Sequence, residues 1–281
     1  MDRKYPALVL RWTSPPDDDR RDRLLAELDE FGVTAADVVE GAARFFFSSI
    51  DARDRAAAVM PLVDPSARCE RALISDENWA ERSQASITAV RVGALVVAPP
   101  WAVPNDGSTV IVIQPSMGFG TAHHESTRLC LGLLQDLPPI NGLRVLDVGT
   151  GSGVLAIAAR VLGATTVVAA DYDPDAIASA RENLELNRVE SAITLLQLDL
   201  AEPAALAGRQ FDVVLANLTG GMLARFAATL AGFTAPAGLL ITSGVTIDEE
   251  AMVTQALIGA GFVRQRRAAE HEWVGASWAR A

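Results

Sequence analysis

Gly149-Thr150-Gly151-Ser152-Gly153 stands between the apolar run Val145-Leu146-Asp147-Val148 and the apolar stretch Val154 to Leu162, and Asp171 closes the next apolar run, Val167 to Ala170. Strand, glycine turn, helix, strand and terminal carboxylate is the order in which a βαβ unit passes its backbone beneath a nucleotide and holds a ribose. Gly149 and Gly151 supply turn conformations closed to other residues and let a ligand touch the main chain. An acidic side chain about 20 residues past such a turn accepts from both ribose hydroxyls, so Asp171 favours an unphosphorylated ribose. The spacing is G-x-G-x-G, not the G-x-G-x-x-G of a dinucleotide fingerprint, which leaves the helix N-terminus poorly placed for a pyrophosphate. An adenosyl ligand without phosphates fits better, and S-adenosylmethionine is such a ligand. Asp147 carries two readings: contact with the ligand's amino-acid end, directly or through solvent, or a cap on the turn.

Two further constellations belong to the same end of the expected sheet, because open parallel sheets bind ligands at the carboxyl ends of their strands. Phe211 to Leu218 reads as a buried strand ending in an amide, which sets Asn217 beside the ligand's reactive end. An asparagine offers both donor and acceptor and so orients an amine without holding its proton. A simple turn asparagine before Gly220-Gly221 is the bland alternative. Upstream, Met117 to Arg128 precedes a helix-like apolar stretch, Leu129 to Leu134, and holds two of the chain's three histidines, His123 and His124. Adjacent histidines point apart in either a strand or a helix, and no second cluster completes a coordination sphere, so no metal is expected. Glu125-Ser126-Thr127 reads first as capping chemistry. Phe119 is placed to cover an adenine, and Thr127 to meet the methionyl portion.

These residues need a scaffold, and the chain supplies one by alternation. From Gly142 onward strands and helices follow one another: Val145 to Gly149, Val154 to Leu162, Val167 to Asp171, Pro174 to Asn187, Ile193 to Gln197, Phe211 to Asn217, Met222 to Leu230, Leu239 to Ser243, and Glu249 to Ala260. That pattern predicts an α/β fold, a doubly wound and mostly parallel sheet covered on both faces. Asp173 caps the helix that Pro174 opens. The last stretches, Phe262 to Ala268 and Trp273 to Ala279, predict an antiparallel hairpin at the sheet edge. Residues 1–75 read as βαββαβ, a small α+β sandwich of ferredoxin-like type, with Asp17-Asp18-Asp19 before its first helix. Residues 76–107 read as a linker in which Trp79 and Trp101 serve as packing anchors, and residues 108–281 as the catalytic domain.

Composition narrows the partners. A chain of 281 residues, half of them hydrophobic, fills a large and a small domain. It shows no secretory pattern and no apolar segment long enough for a bilayer, so the expectation is a cytoplasmic protein without a membrane partner. A net charge of −11 argues against direct nucleic-acid binding and suits a basic protein substrate. Cys69 and Cys130 lie far apart and are expected as buried thiols.

The stretch Phe119 to Cys130, the turn Asp147 to Gly153, Asp171 with Asp173-Pro174, and Ala216-Asn217-Leu218 together resemble the ribosomal-protein-L11 methyltransferases (PrmA), which are class I S-adenosylmethionine-dependent enzymes. The resemblance runs from about Asp76 to the C-terminus, where Glu272-Trp273 also matches; Ala122 departs from the family's usual glycine. Before Asp76 it rests on element order alone, and that lobe is the family's substrate-recognition domain. By this resemblance Thr127, Gly149, Asp171 and Asn217 contact S-adenosylmethionine, and Phe119, Gly120 and Thr121 line the same pocket. The implied reaction is N-methylation of lysine side chains, and of the terminal amine, of a ribosomal protein. A water, His123 or His124 would take the amine's proton. Related readings are a lysine methyltransferase of another protein, such as an electron-transfer flavoprotein subunit, and a small-molecule or RNA methyltransferase.

Overall fold

The computed structural model describes residues 4–12, 28, 31, 33–39, 42–47, 49–75, 87–115 and 124–281. Phe119, Gly120, Thr121, Ala122, His123, Trp79 and Asp17 to Asp19 lie outside the described residues. The chain forms two compact units, Met1–Ile87 and Thr88–Ala281.

In the first unit β1 (Lys4–Arg11), β2 (Val33–Val39), β3 (Ala42–Phe47) and β4 (Arg68–Ser75) form an antiparallel sheet in the order β2-β3-β1-β4. Alternation along the strands sends Leu8, Leu10, Phe45 and Phe47 to one face, where they pack on Ala52, Ala56 and Met60 of α1 (Ile50–Val63). Ser49 caps α1 by accepting the Ala52 amide at 3.1 Å. Leu28 is helical and fully buried in the same cluster, and most of the expected first helix lies outside the described residues. Cys130 is buried as expected, whereas Cys69 is only half-buried, on a strand β4 whose positions 68–74 are all exposed or half-buried.

The second unit begins with a small sheet, β5 (Val90–Val92), β6 (Leu95–Ala98) and β7 (Thr109–Val112), so part of the expected linker is folded into it. Trp101 is 41% exposed, because it sits in a short turn after Pro99-Pro100 in which nothing is buried. The main sheet has seven strands, β8 (Arg144–Val148), β9 (Thr166–Asp171), β10 (Ile193–Gln197), β11 (Phe211–Asn217), β12 (Thr234–Thr246), β13 (Phe262–Glu270) and β14 (Trp273–Arg280), in the order β10-β9-β8-β11-β12-β14-β13. Strand order reverses at β8, between β9 and β11.

Period-two alternation divides each central strand between two cores. Val145, Val167, Ala169, Val213 and Leu215 pack with α2 (Glu125–Gln135) and α3 (Val154–Val161). Leu146, Val148, Val168, Val214 and Ala216 pack with α5 (Gly220–Arg225), α6 (Ala227–Phe233) and α7 (Glu250–Gly259). The remaining helix, α4 (Pro174–Leu186), follows β9. No helix of the described residues is long and apolar enough to cross a membrane.

Three local expectations are corrected. The helix expected over Met222 to Leu230 is two helices, which meet at Phe226. β12 starts at Thr234, five residues early, and bends at Ala237, whose φ of 59° is left-handed. The expected antiparallel hairpin does end the sheet, but its antiparallel member is not the outermost strand: β14 is inserted between β12 and β13, running against both. Burial explains the swap, since Val274 to Trp278 are buried while Val263 to Arg267 are exposed. Arginines on an outermost strand also discourage further strand pairing.

Candidate functional site

The carboxyl ends of β8, β9 and β11 lie side by side because Val148 pairs with both Ala170 and Ala216. That register delivers Gly149, Asp171 and Asn217 to one rim of the sheet. Gly149 and Thr150 donate to the Ala170 carbonyl at 2.8 and 3.0 Å, which ties the turn to β9. Gly149, Gly151 and Gly153 all have left-handed φ values, 69°, 54° and 82°. A Cβ on Gly149 would also collide with Leu218 Cδ2, in the loop that follows Asn217. Both demands make glycine the residue for that position.

Asp171 is held by the backbone on both sides. Its Oδ2 accepts the Gly151 amide at 2.9 Å and its Oδ1 accepts the Asp173 amide at 3.1 Å. An ionised carboxylate has about four acceptor positions, so two remain for a pair of hydroxyls. Asp173 in turn caps α4, accepting the Asp175 amide at 2.9 Å.

Asp147 takes the turn-holding role of its two readings. It is fully buried, and its Oδ2 accepts from the Thr150 hydroxyl at 2.6 Å and the Ala156 amide at 3.1 Å, joining the turn to the first turn of α3. Its Oδ1 is buried without a partner among the described residues. Loss of water around the carboxylate pushes its pKa up to about 7. Burial likewise pushes the Cys130 thiol up, with the Asp147 charge adding to the effect.

Thr127 and Asn217 are 90 residues apart in sequence and meet here: Asn217 Nδ2 donates to Thr127 Oγ1 at 3.3 Å. Thr127 is 2% exposed, on the sheet-facing side of α2. The capping residue of α2 is His124, not the expected Glu-Ser-Thr, because the helix starts one residue earlier than capping by those side chains requires. His124 Nδ1 accepts the Ser126 amide at 3.3 Å and lies 2.8 Å from the Ser126 hydroxyl. An amide can only donate, so the neutral ring carries its proton on Nε2, and Nδ1 is not a base for a substrate.

Sequence reasoning missed two contributors. Asn183 of α4, with no exposed surface, donates to the Ser152 carbonyl at 2.9 Å and accepts the Gln114 amide at 2.7 Å, so one amide braces the glycine turn against the segment after β7. Its only signal was polarity at an inward-facing helical position. Gly244 was the other, with φ at 83°; a Cβ there would lie 3.1 Å from Asn217 Oδ1 and still nearer the Leu218 carbonyl. Its absence keeps the amide oxygen accessible.

The residues fit an adenosyl sulfonium ligand: a turn with glycine at three of its five positions, a carboxylate with acceptors to spare at the next strand tip, and a threonine–asparagine pair beyond. Comparison with known proteins agrees. The family described as Ribosomal protein L11 methyltransferase (PrmA) matches residues 41–280. A protein named ribosomal protein L11 methyltransferase from Geobacter sulfurreducens is 43% identical over 204 residues, covering 72% of this chain and 66% of that protein. Its namesake from Geobacter metallireducens is 41% identical over 203 residues, covering 71% and 65%. The chain thus spans just under two thirds of the length of these relatives. The crystal structure of a ribosomal protein L11 methylase from Lactobacillus delbrueckii subsp. bulgaricus superposes with a TM-score of 0.63 at 28% identity, covering 69% of this chain and 98% of that one. With the class I methyltransferase sheet and its rim of Gly149, Asp171 and Asn217, these matches establish that the chain belongs to the ribosomal protein L11 methyltransferase (PrmA) family.

Proposed function

We propose that this chain is an S-adenosylmethionine-dependent protein N-methyltransferase of the cytoplasm, acting on lysine side chains and the terminal amine of ribosomal protein L11. The observation that carries the reading is the meeting of Thr127 and Asn217 at 3.3 Å, beside the glycine turn and Asp171. Bound S-adenosylmethionine supplies an electrophilic methyl on a sulfonium, open to in-line displacement by a neutral amine. Asp171 holds the ribose, and Phe119, Gly120, Thr121, Gly149 and Gly151 complete the pocket. Asn217 is the catalytic residue: with Nδ2 committed to Thr127, its Oδ1 accepts from the amine N–H and aims the nitrogen lone pair at the methyl carbon. Leu218, 9% exposed, makes the neighbourhood apolar, which disfavours the ammonium and lets its proton leave to water. The net charge of −11 favours a basic protein as partner over a phosphate backbone.

Titration of S-adenosylmethionine against the protein and its Asp171→Ala variant tests the pocket. Loss of two charge-assisted hydrogen bonds should weaken binding by about tenfold or more; equal affinity removes the ribose argument. Labelled cofactor added to an extract from a strain lacking this gene tests the target. Label on ribosomal protein L11 is expected, label on another polypeptide reassigns the substrate, and label in RNA refutes a protein substrate.

A further inference from the structure

We propose that the two-residue turn joining β13 to β14 is a latch that sets the position of Thr127, and that Glu270 and Trp273 are positioning residues for the reaction proposed above, on which this inference rests. Glu270 pairs with Trp273 across the hairpin, leaving His271 and Glu272 as the turn. Three side chains at this end of the hairpin, those of Glu270, His271 and Trp273, grip the start of α2. The Glu270 carboxylate takes the Arg128 guanidinium through Nη2 at 2.7 Å and Nε at 3.0 Å. Arg128 Nη2 also lies 3.3 Å from Glu125 Oε1, and His271 Nδ1 lies 3.4 Å from that same oxygen. The Trp273 ring meets the His124 ring edge-on, with centroids 4.5 Å apart.

Glu125 and Arg128, three apart, are neighbours on the helix surface, and His124 is the residue that caps the helix. Thr127, next to Arg128 in the same turn, is buried and meets Asn217. Apolar packing beneath α2 is non-directional and resists sliding or rotation weakly. A guanidinium fork on a carboxylate fixes both. Just beyond the turn, a Cβ at Gly275 would stand 3.0 Å from Leu129 Cβ and 3.1 Å from Leu133 Cδ1, so the helix rides on β14 without slack. His271 adds an independent sign. Its φ of 50° is left-handed, where glycine costs nothing, yet the residue is a histidine whose ring reaches Glu125.

The test is a double-mutant cycle on S-adenosylmethionine affinity with Glu270→Gln, Arg128→Gln and the pair, each followed also by thermal unfolding. Each single variant should bind about fivefold more weakly, a size typical of coupling between sites. The pair should be no weaker than either single variant, and kcat should fall with affinity while the melting temperature moves little. Wild-type affinity in the single variants, or effects that simply add, overturns the latch. His271→Gly covers the case in which those variants fold poorly, since it relieves backbone strain: unchanged or higher stability with about twofold weaker binding is expected, and unchanged binding overturns the latch. Failure of the wild-type protein to bind S-adenosylmethionine at all would refute the functional reading itself and the latch with it.

Discussion

Asp147 shows how far a residue's type understates its role. A buried carboxyl with its pKa raised to about 7 is protonated in the folded protein when the same group in the unfolded chain, near 3.8, has already ionised. The unfolded state therefore binds fewer protons across that interval. The stability this group contributes is fully present below about pH 4 and is lost as pH climbs to about 7. Asp147→Asn removes the titration. Measured by urea unfolding, the variant should gain on wild type by about 1–3 kcal/mol between pH 4.5 and 7.5; parallel curves would show that the carboxylate is ionised throughout. That Asp171, Gly149 and Asn217 would lie at one rim of the sheet was legible in the sequence, because each stands at or just past the end of an apolar strand-like run. What Asp147 does was not, because the choice between ligand contact and turn support depends on whether water reaches it, and burial is set by α2 and α3 closing over β8.

At the scale of elements, α4 is the least conspicuous part of the site and one of the most consequential. Asn187 clamps β7, accepting the Val112 amide at 2.8 Å and donating to the Val112 carbonyl at 2.6 Å. Asn183, one turn earlier, braces the glycine turn. Asn183→Ala strips partners from two backbone groups near a fully buried position, each costing about 1–3 kcal/mol. A stability loss of roughly 2–4 kcal/mol with weakened cofactor binding is expected in urea unfolding and ligand titration; a loss below about 1 kcal/mol would show that water replaces the amide. Helix and strand periods were readable from Gly142 onward, and most elements fall within a few residues of expectation. The insertion of β14 inside the sheet was not readable, because a hairpin's two strands look alike in sequence until neighbours decide which is covered. The covered one carries Gly275 and the fully packed Trp278, whose indole Nε1 donates to Thr242 Oγ1 at 2.9 Å.

For the whole molecule, the division into Met1–Ile87 and Thr88–Ala281 separates the core of the smaller unit from the two cores that flank the main sheet of the larger. All the described residues assigned here to cofactor and transfer lie in the larger unit. A fragment of residues 88–281 should fold cooperatively and bind S-adenosylmethionine within about threefold of the full chain. It should transfer no methyl to ribosomal protein L11 if residues 1–87 recognise the substrate. Full transfer by the fragment, read from incorporated label, would refute that role.

The sequence by itself determined the class of ligand and the order of the elements that hold it, because turn glycines, strand-tip carboxylates and hydrophobic periods are local properties of the chain. Only the tertiary structure decided which distant residues act together: Thr127 with Asn217 across 90 positions, Arg128 with Glu270 across 142, and Asn183 with the glycine turn. Such pairings depend on strand order and on how closely helices approach the sheet, and those follow from the packing of the whole core.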